Sequence, residues 1–500
     1  MSTVADSSGA SSAGSGSPER IIVILVACCV FISVLNTNMF NVALPAIGRE
    51  FDMSPGGLGW VVTSYSLVFG IGTPFYGRLA DIYGLRRMFM IGLVIFSIGS
   101  VACMLAPEYY MLIGARIIQA AGTAAIPALG TAAIFRVIPA ERRGTATGYI
   151  AAMVGIGSAI GPSLGGAITQ IVSWRGLFIF GALLIIAVPL SRRILPDDET
   201  NSESTLDLPG GFFLGIMIAG LLIGITNLES FGIASPWVLA PLAVAVSGFL
   251  LLNYRIRNHD DPFIPPDLLG NRNYRMLVFI GFAMLLTHMG TLVTVPLLLD
   301  SVQGISSARI GLVMLPSAVV LSIVGPIAGR LTDRIGALAP MRTGITMSFI
   351  ALLLMSSFGT SGSALTVTFI LLLTGLGMGL ANSPMINSVS LILPRARTGI
   401  GISIFHMTFF LGGAFGATMI TSVIDYRTGA SSAINLLHSG AGVAFSDAFL
   451  VPMTICGVAL VLSILLRIPK PWEVGEAERA SSDAQAESEK LERLDASTSN

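Results

Sequence analysis

Apolar runs of about 20 residues, separated by short polar or glycine-rich connections, recur from residue 21 almost to the end of the chain. Fourteen can be delimited, at about 21–45, 58–77, 88–106, 108–135, 146–170, 174–191, 210–228, 236–254, 276–299, 310–330, 342–358, 364–391, 399–424 and 446–467. A helix of about 20 residues matches a hydrocarbon layer of about 30 Å. Helices follow because each backbone polar group in lipid must be satisfied within its own segment. The expected fold class is therefore an all-α polytopic membrane protein with fourteen spans. Residues 255–275 form the longest polar connection. Residues 1–19 are Ser/Gly-rich with no basic start before an early cleavage site, so they read as a disordered tail before a retained span. Residues 471–500 read as a charged, helix-prone tail.

One interruption between apolar runs is written twice. Gly77-Arg78-Leu79-Ala80-Asp81-Ile82-Tyr83-Gly84-Leu85-Arg86-Arg87 returns as Gly329-Arg330-Leu331-Thr332-Asp333-Arg334-Ile335-Gly336, offset by 252 residues. Val137-Ile138-Pro139 through Gly144 returns as Ile392-Leu393-Pro394 through Gly399, offset by 255. Two related halves are implied, with eight spans between the copies, so that both lie on one membrane face. Six spans per half use twelve. The expected domains are 20–200, an N-terminal six-helix bundle; 201–258, an extra helix pair and linker; and 259–470, a C-terminal six-helix bundle. The extra pair carries few polar residues apart from Asn227 and Glu229, which suits a structural or lipid-facing role.

Composition sharpens this picture. The chain is 53% hydrophobic and 11% charged, against about a quarter charged in soluble domains. Its net charge is zero, which suggests no nucleic-acid partner. Most of the 28 Lys and Arg residues fall on one set of alternate connections and the tails. The opposite set holds Arg49, Arg175, Arg309 and Arg427, and Arg116 lies inside a span. This bias predicts that both termini are cytoplasmic. Trp60, Trp174 and Trp237 each open a span at the other face, where an indole settles among headgroups. Cys28, Cys29, Cys103 and Cys456 fall inside apolar runs and read as buried small hydrophobes without metal-ligand spacing.

The candidate chemistry is sparse. Asp81 requires a cationic or helix-N-terminal partner, with Arg78, Arg86, Arg87 or Arg136 able to supply it. Its recurrence at Asp333, beside Arg334, points to a latch that closes the cytoplasmic side. Gly157, Gly161 and Gly165 line one helix face and admit a close neighbour, while Pro162 permits a kink. An uncharged face of this kind suits a hinge or seal between halves, or plain helix packing. Arg116, with Gln119 one turn on, must face the interior or a watered cavity. Asn36, Asn38 and Asn41 bring three amides to the first span, and only the last two share a face.

These segments resemble the major facilitator superfamily. The 77–87 stretch is similar to its signature loop, Leu112–Gly122 to its fourth-helix motif with Ala120 where glycine is usual, and Gly157–Gly166 to its fifth-helix antiporter motif. Fourteen spans resemble the drug:proton antiporters of tetracycline and multidrug type, as do Ser33-Val34-Leu35-Asn36 and Asn41-Val42-Ala43-Leu44-Pro45. The resemblance covers about residues 20–470. It implies the major facilitator fold, with gating at Gly77, Arg78, Asp81, Gly84, Arg86, Arg87, Arg136, Asp333 and Arg334, an antiporter motif at Gly157, Gly161, Pro162, Gly165 and Gly166, and proton control by Arg116. The chain departs from the pattern at Asn36, where many fourteen-span relatives have Asp, and at Ser158 and Gly413, where tetracycline-type members are acidic. Proton carriers are then sought among Asp300, Asp425, Glu229, His288 and His406.

The expected function is proton-coupled export of drug-like or lipophilic small molecules across the cytoplasmic membrane. Lining candidates are Asn38, Asn41, Arg116, Gln119, His288, Asn382, Asn387 and His406. The proton gradient supplies the energy with no cofactor, and the partners are substrate, protons and membrane lipids around a monomer. A proton-independent uniporter or lipid translocator on the same fold is the alternative. A membrane enzyme is disfavoured, since the chain has no phosphate-binding loop, nucleophile elbow or metal set.

Overall fold

The computed structural model describes residues 16–53, 55–196, 206–232, 234–305, 307–430, 432–438, 442–477 and 480. Within them the chain forms α1 (Gly16–Glu50), α2 (Pro55–Tyr83), α3 (Leu85–Leu105), α4 (Tyr109–Thr123), α5 (Ala125–Val137), α6 (Arg143–Ile171), α7 (Ile179–Leu183) and α8 (Ala187–Ile194). Next come α9 (Leu208–Phe231), α10 (Pro236–Asn258), α11 (Pro266–Gly270), α12 (Arg272–Ser301) and α13 (Ser307–Ile335). The last are α14 (Leu338–Phe358), α15 (Ala364–Ile392), α16 (Arg395–Arg427) and α17 (Val443–Leu465). Thirteen helical stretches among the described residues are long and apolar enough to cross a membrane. The 29-residue α2 supplies the remaining expected span.

Two runs depart from simple helices. The fourth is divided at Ala124 into α4 and α5, and Pro127, third in α5, has no N–H to continue the ladder. The sixth is a chain of short pieces, 3-10 turns at Trp174–Phe178 and Leu184–Ile186 alternating with α7 and α8.

The helices pack as two groups. In one, α1 lies on α6, and α4 on α2 and α3; in the other, α12 lies on α16 and α17, and α15 on α13 and α14. Two long seams join the groups, α6 against α13 and α2 against α16, with α5 meeting α16 and α15 meeting α6 beside them. The extra pair is not peripheral to this join. α10 packs on α9, and α9 sits on both α2 and α16.

The 255–275 connection is less polar in effect than its sequence suggests. Phe263, Ile264 and Leu268 are buried, and Phe263 packs on Phe75 with ring centres 4.8 Å apart. Asp207 anchors it: its carboxylate accepts from Gly210 N, Phe263 N and Arg255 Nε, each at 3.1 Å. Burial alone would raise this carboxyl's pKa, but those hydrogen bonds and the Arg255 charge hold it below the usual carboxylate value.

Three smaller expectations are corrected. Trp174 is buried at 3% exposure, its indole donating to Glu50 Oε2 at 2.6 Å, because the carboxylate offers a partner that headgroups would otherwise supply. Trp237 is exposed as expected, and the Trp60 side chain lies outside the described residues. Cys28 is exposed, while the other three cysteines are buried. The first helix begins at Gly16, inside the stretch read as tail, and residues 471–477 of the C-terminal tail are helical.

Candidate functional site

The duplicated turn builds two equivalent ends. α2 and α13 each stop at a glycine with positive φ, 95° at Gly84 and 89° at Gly336. Each glycine N–H returns to a carbonyl four residues back, Ala80 at 3.0 Å and Thr332 at 2.9 Å. Only glycine takes this backbone without strain. The partners of the two turns match as well. α6 and α16 begin just after Pro139 (φ −54°, ψ 148°) and Pro394 (φ −59°, ψ 149°).

Each repeat carboxylate faces the helix start of the other group. Asp333 accepts from Gly144 N at 2.8 Å, from Thr145 N at 2.7 Å and from the Thr145 hydroxyl. These are orphan donors in the first turn of α6, so the aspartate caps that helix and meets the positive end of its dipole. Asp81 lies in the matching place on α16: a Cβ on Gly399 would come within 2.7 Å of its Oδ1, and one on Gly144 within 2.5 Å of Asp333 Oδ1. Arg78, Arg136 and Arg397 set a positive field around Asp81. The partner of Arg78 itself is new: the residue is 1% exposed and its guanidinium pairs with Asp261 of the 255–275 connection at 2.5 Å. Arg86 reaches the Leu195 carbonyl at 3.5 Å, while Arg87, Arg136 and Arg334 are exposed.

Glycines let the two seams close. A Cβ on Gly77 would overlap Ser403, and one on Gly329 would overlap the Gly144 carbonyl. Gly148 meets Gly325 and Gly155 meets Ser322 further along α6. Thr147 and Ser383 share a hydrogen bond of 2.8 Å, and Ser383 donates to the Gly144 carbonyl at 2.9 Å. The arginine-rich end is therefore shut by backbone contact and hydrogen bonds.

The antiporter-motif glycines do something different from an inter-half seal. Gly157 faces Phe31 and Leu35, Gly161 faces Asn38, and Gly165 faces the Met39 backbone, so this face seats α1 within its own group. Among the described residues a Cβ on Gly166 would meet only Val42, at 3.9 Å, and Pro162 is exposed. The physical reason is angular: Gly144, Gly148 and Gly155 lie on another face of the same helix, which turns toward α13.

In the interior, Arg116 Nη1 donates to Gln119 Oε1 at 2.6 Å, and Gln119 Nε2 donates to Asn36 Oδ1 at 3.1 Å and to Ser100 Oγ at 2.8 Å. Asn36 Nδ2 ends the network on the Leu177 carbonyl at 3.1 Å. The guanidinium lies 4.0 Å from the ring centres of both Phe40 and Tyr65, a double cation–π contact. Its Nε has no hydrogen-bond partner among the described residues. Asn36 thus belongs with Arg116, whereas Asn38 donates to the Val34 carbonyl and Asn41 is exposed, so the three amides form no common patch.

An aromatic series crosses from one group to the other. Tyr65 and Phe69 are parallel at 6.5 Å, Phe69 meets Phe410 edge-on at 4.8 Å, and Phe410 stacks on His406 at 6.2 Å. His406 is 5% exposed and, among the described residues, neither ring nitrogen has a hydrogen-bond partner. Asn382 Oδ1 and both amide atoms of Asn387 are likewise buried without a partner among the described residues. Asn387 follows Ser383 by one turn, which puts it on the face toward α6 at the closed end rather than in mid-span. His288 is half-buried in α12. Asp300 and Asp425 are exposed at helix ends, and the Glu229 side chain lies outside the described residues.

Sequence reasoning missed Asp261, Ser383, Tyr65, Phe69 and Phe410. The Tyr65/Phe69 spacing of four residues was a visible signal for one aromatic face; the cross-group partners had none.

The family model of the Major Facilitator Superfamily matches residues 26–417 and again 277–494. Riboflavin transporter RibZ of Clostridioides difficile (strain 630) is 29% identical over 456 residues, covering 89% of this chain and 97% of that protein. Multidrug resistance protein Stp of Mycobacterium tuberculosis (strain CDC 1551 / Oshkosh) is 29% identical over 411 residues, covering 81% and 76%. The fold is shared with the human organic anion transporter MFSD10 (TM-score 0.67, 16% identity, 90% of this chain and 100% of that chain). It is shared also with the proton:xylose symporter XylE (TM-score 0.63, 14% identity, 91% and 98%). With its paired helix groups and duplicated turn, the chain belongs to the major facilitator superfamily and is a multi-pass membrane transporter of that family.

Proposed function

We propose that the protein is a secondary exporter that moves drug-like or lipophilic small molecules out of the cytoplasm, driven by proton entry. Residues 20–200 and 259–470 act as two six-helix halves that rock about the α2–α16 and α6–α13 seams, with 201–258 riding on the first seam. The membrane is the cytoplasmic one, both termini are cytoplasmic, and the monomer is the working unit within its lipids. The observation that carries this reading is the reciprocal latch, in which Asp333 caps α6 and Asp81 faces the start of α16. Each holds the arginine-rich side closed, and each must let go for a cavity to open there.

The names of two relatives, one a riboflavin transporter and one a multidrug resistance protein, support a small organic substrate. Proton coupling is assigned to the interior set of Arg116, Gln119 and His406, with Asp300 and Asp425 as the outer alternatives. Flux of a fluorescent substrate into everted vesicles tests the reading. Uptake should need the proton gradient and collapse with an uncoupler. Unchanged uptake with the uncoupler would establish the proton-independent uniporter instead. Asp300→Asn or Asp425→Asn with unaltered coupling removes that residue from the proton path.

A further inference from the structure

The mid-membrane meeting of α2 and α16 is built as an aromatic floor, the Phe410 ring, with Phe69 standing edge-on to it. Phe69 and Phe410 stand near the middle of their helices, and Phe410 remains 37% exposed although it touches the other group. From this pair to Asp81 and Gly399 the two helices are in contact toward the arginine-rich end. With the helices in contact toward that end, the exposed part of Phe410 is the surface open to a ligand. Beside it His406 offers two ring nitrogens without a partner among the described residues. Polar atoms buried without a partner are satisfied when a complementary group arrives.

Charge narrows the ligand further. No apolar run carries Asp or Glu beyond its first two residues. Arg116 is the one Lys or Arg deep inside a run, and it already occupies the faces of Phe40 and Tyr65. Through Tyr65 it stands on the order of 10 Å from Phe69, which borders a ligand on Phe410. At an effective dielectric of about 20 that distance changes the affinity of a unit charge by about 15-fold, against a cation and in favour of an anion.

Resting on the exporter reading, we propose that this floor takes planar aromatic molecules, neutral or anionic and bearing hydrogen-bonding edges, and discriminates against planar cations. Phe410 supplies the stacking face, Phe69 at right angles to it an aromatic edge, and His406 the hydrogen-bonding edge.

Equilibrium binding to the full-length protein in phosphatidylcholine nanodiscs tests this without any gradient. The probes are riboflavin (neutral), 2-naphthoate (anionic) and ethidium (cationic). Riboflavin and naphthoate should bind at least tenfold tighter than ethidium. Phe410→Leu, which keeps bulk and loses the ring, should weaken riboflavin about tenfold; Phe410→Trp should retain it. His406→Phe keeps the stack without the nitrogens and should weaken riboflavin about tenfold. Ethidium binding as tight as riboflavin, no binding by any probe, or a change below twofold in a folded Phe410→Leu protein overturns the proposal. Binding in the expected order with no vesicle flux overturns the exporter reading alone.

Discussion

Neutralising Asp333 should loosen the arginine-rich end of the bundle. The carboxylate accepts two backbone N–H groups at 2.8 and 2.7 Å, together with the Thr145 hydroxyl. Asp333→Asn keeps the size and one acceptor oxygen, but turns an amide NH2 toward a donor that now has no acceptor. A hydrogen bond to a charged group is worth about 1.5–3 kcal/mol. The carboxylate at the helix start adds about 0.3–1 kcal/mol. Because one acceptor remains, the net loss should be about 2–3 kcal/mol, or about 30- to 150-fold in the ratio of closed to open. Ala151, 2% exposed and facing Gly325 across the seam, is a suitable reporter. In a background without native cysteines, Ala151→Cys should react with an impermeant maleimide at least tenfold faster from the arginine-rich side once Asp333 is Asn. Thr145→Val, which removes only the hydroxyl contact, should give a smaller rise. Labelling that is unchanged or slower in folded Asp333→Asn protein would refute the latch.

Three further outcomes are expected. Gly165→Ala puts a Cβ 2.7 Å from the Met39 Cα and should cost about 1–3 kcal/mol by forcing α1 from α6, whereas Gly166→Ala meets only Val42 at 3.9 Å and should not lower the unfolding temperature; thermal unfolding in detergent separates them. Arg116→Lys keeps the charge but loses the planar contact with Phe40 and Tyr65, and should lower stability by about 1–2 kcal/mol, read as a drop in unfolding temperature. Asp207 has a folded pKa below its unfolded value of about 3.9, so its contribution is complete above that value and is lost as pH falls through the folded one; an acid titration of stability should show this loss in the parent and not in Asp207→Asn.

The contrast between what was legible and what was not runs through single residues. The spans, the duplicated turn and the importance of Gly84, Asp81 and Asp333 are one-dimensional signals, because apolar length, repetition and punctuation are written along the chain. Arg116 and Gln119 at one-turn spacing foretold their contact, since a helix brings such residues to one face. The sequence could say that Asp81 needed a partner but not that it would stand against Gly399, or that Arg78 would choose Asp261. It could say that Gly157, Gly161 and Gly165 admit a close helix, but the identity of α1 as that helix depends on how α6 is rotated between two neighbours. Phe69 and Phe410 are separated by most of the chain, and only packing of α2 on α16 makes them one surface. Hydropathy and helical period are properties of a segment; the choice of partner is a property of the crossing angles and rotations of whole helices, which no segment encodes alone.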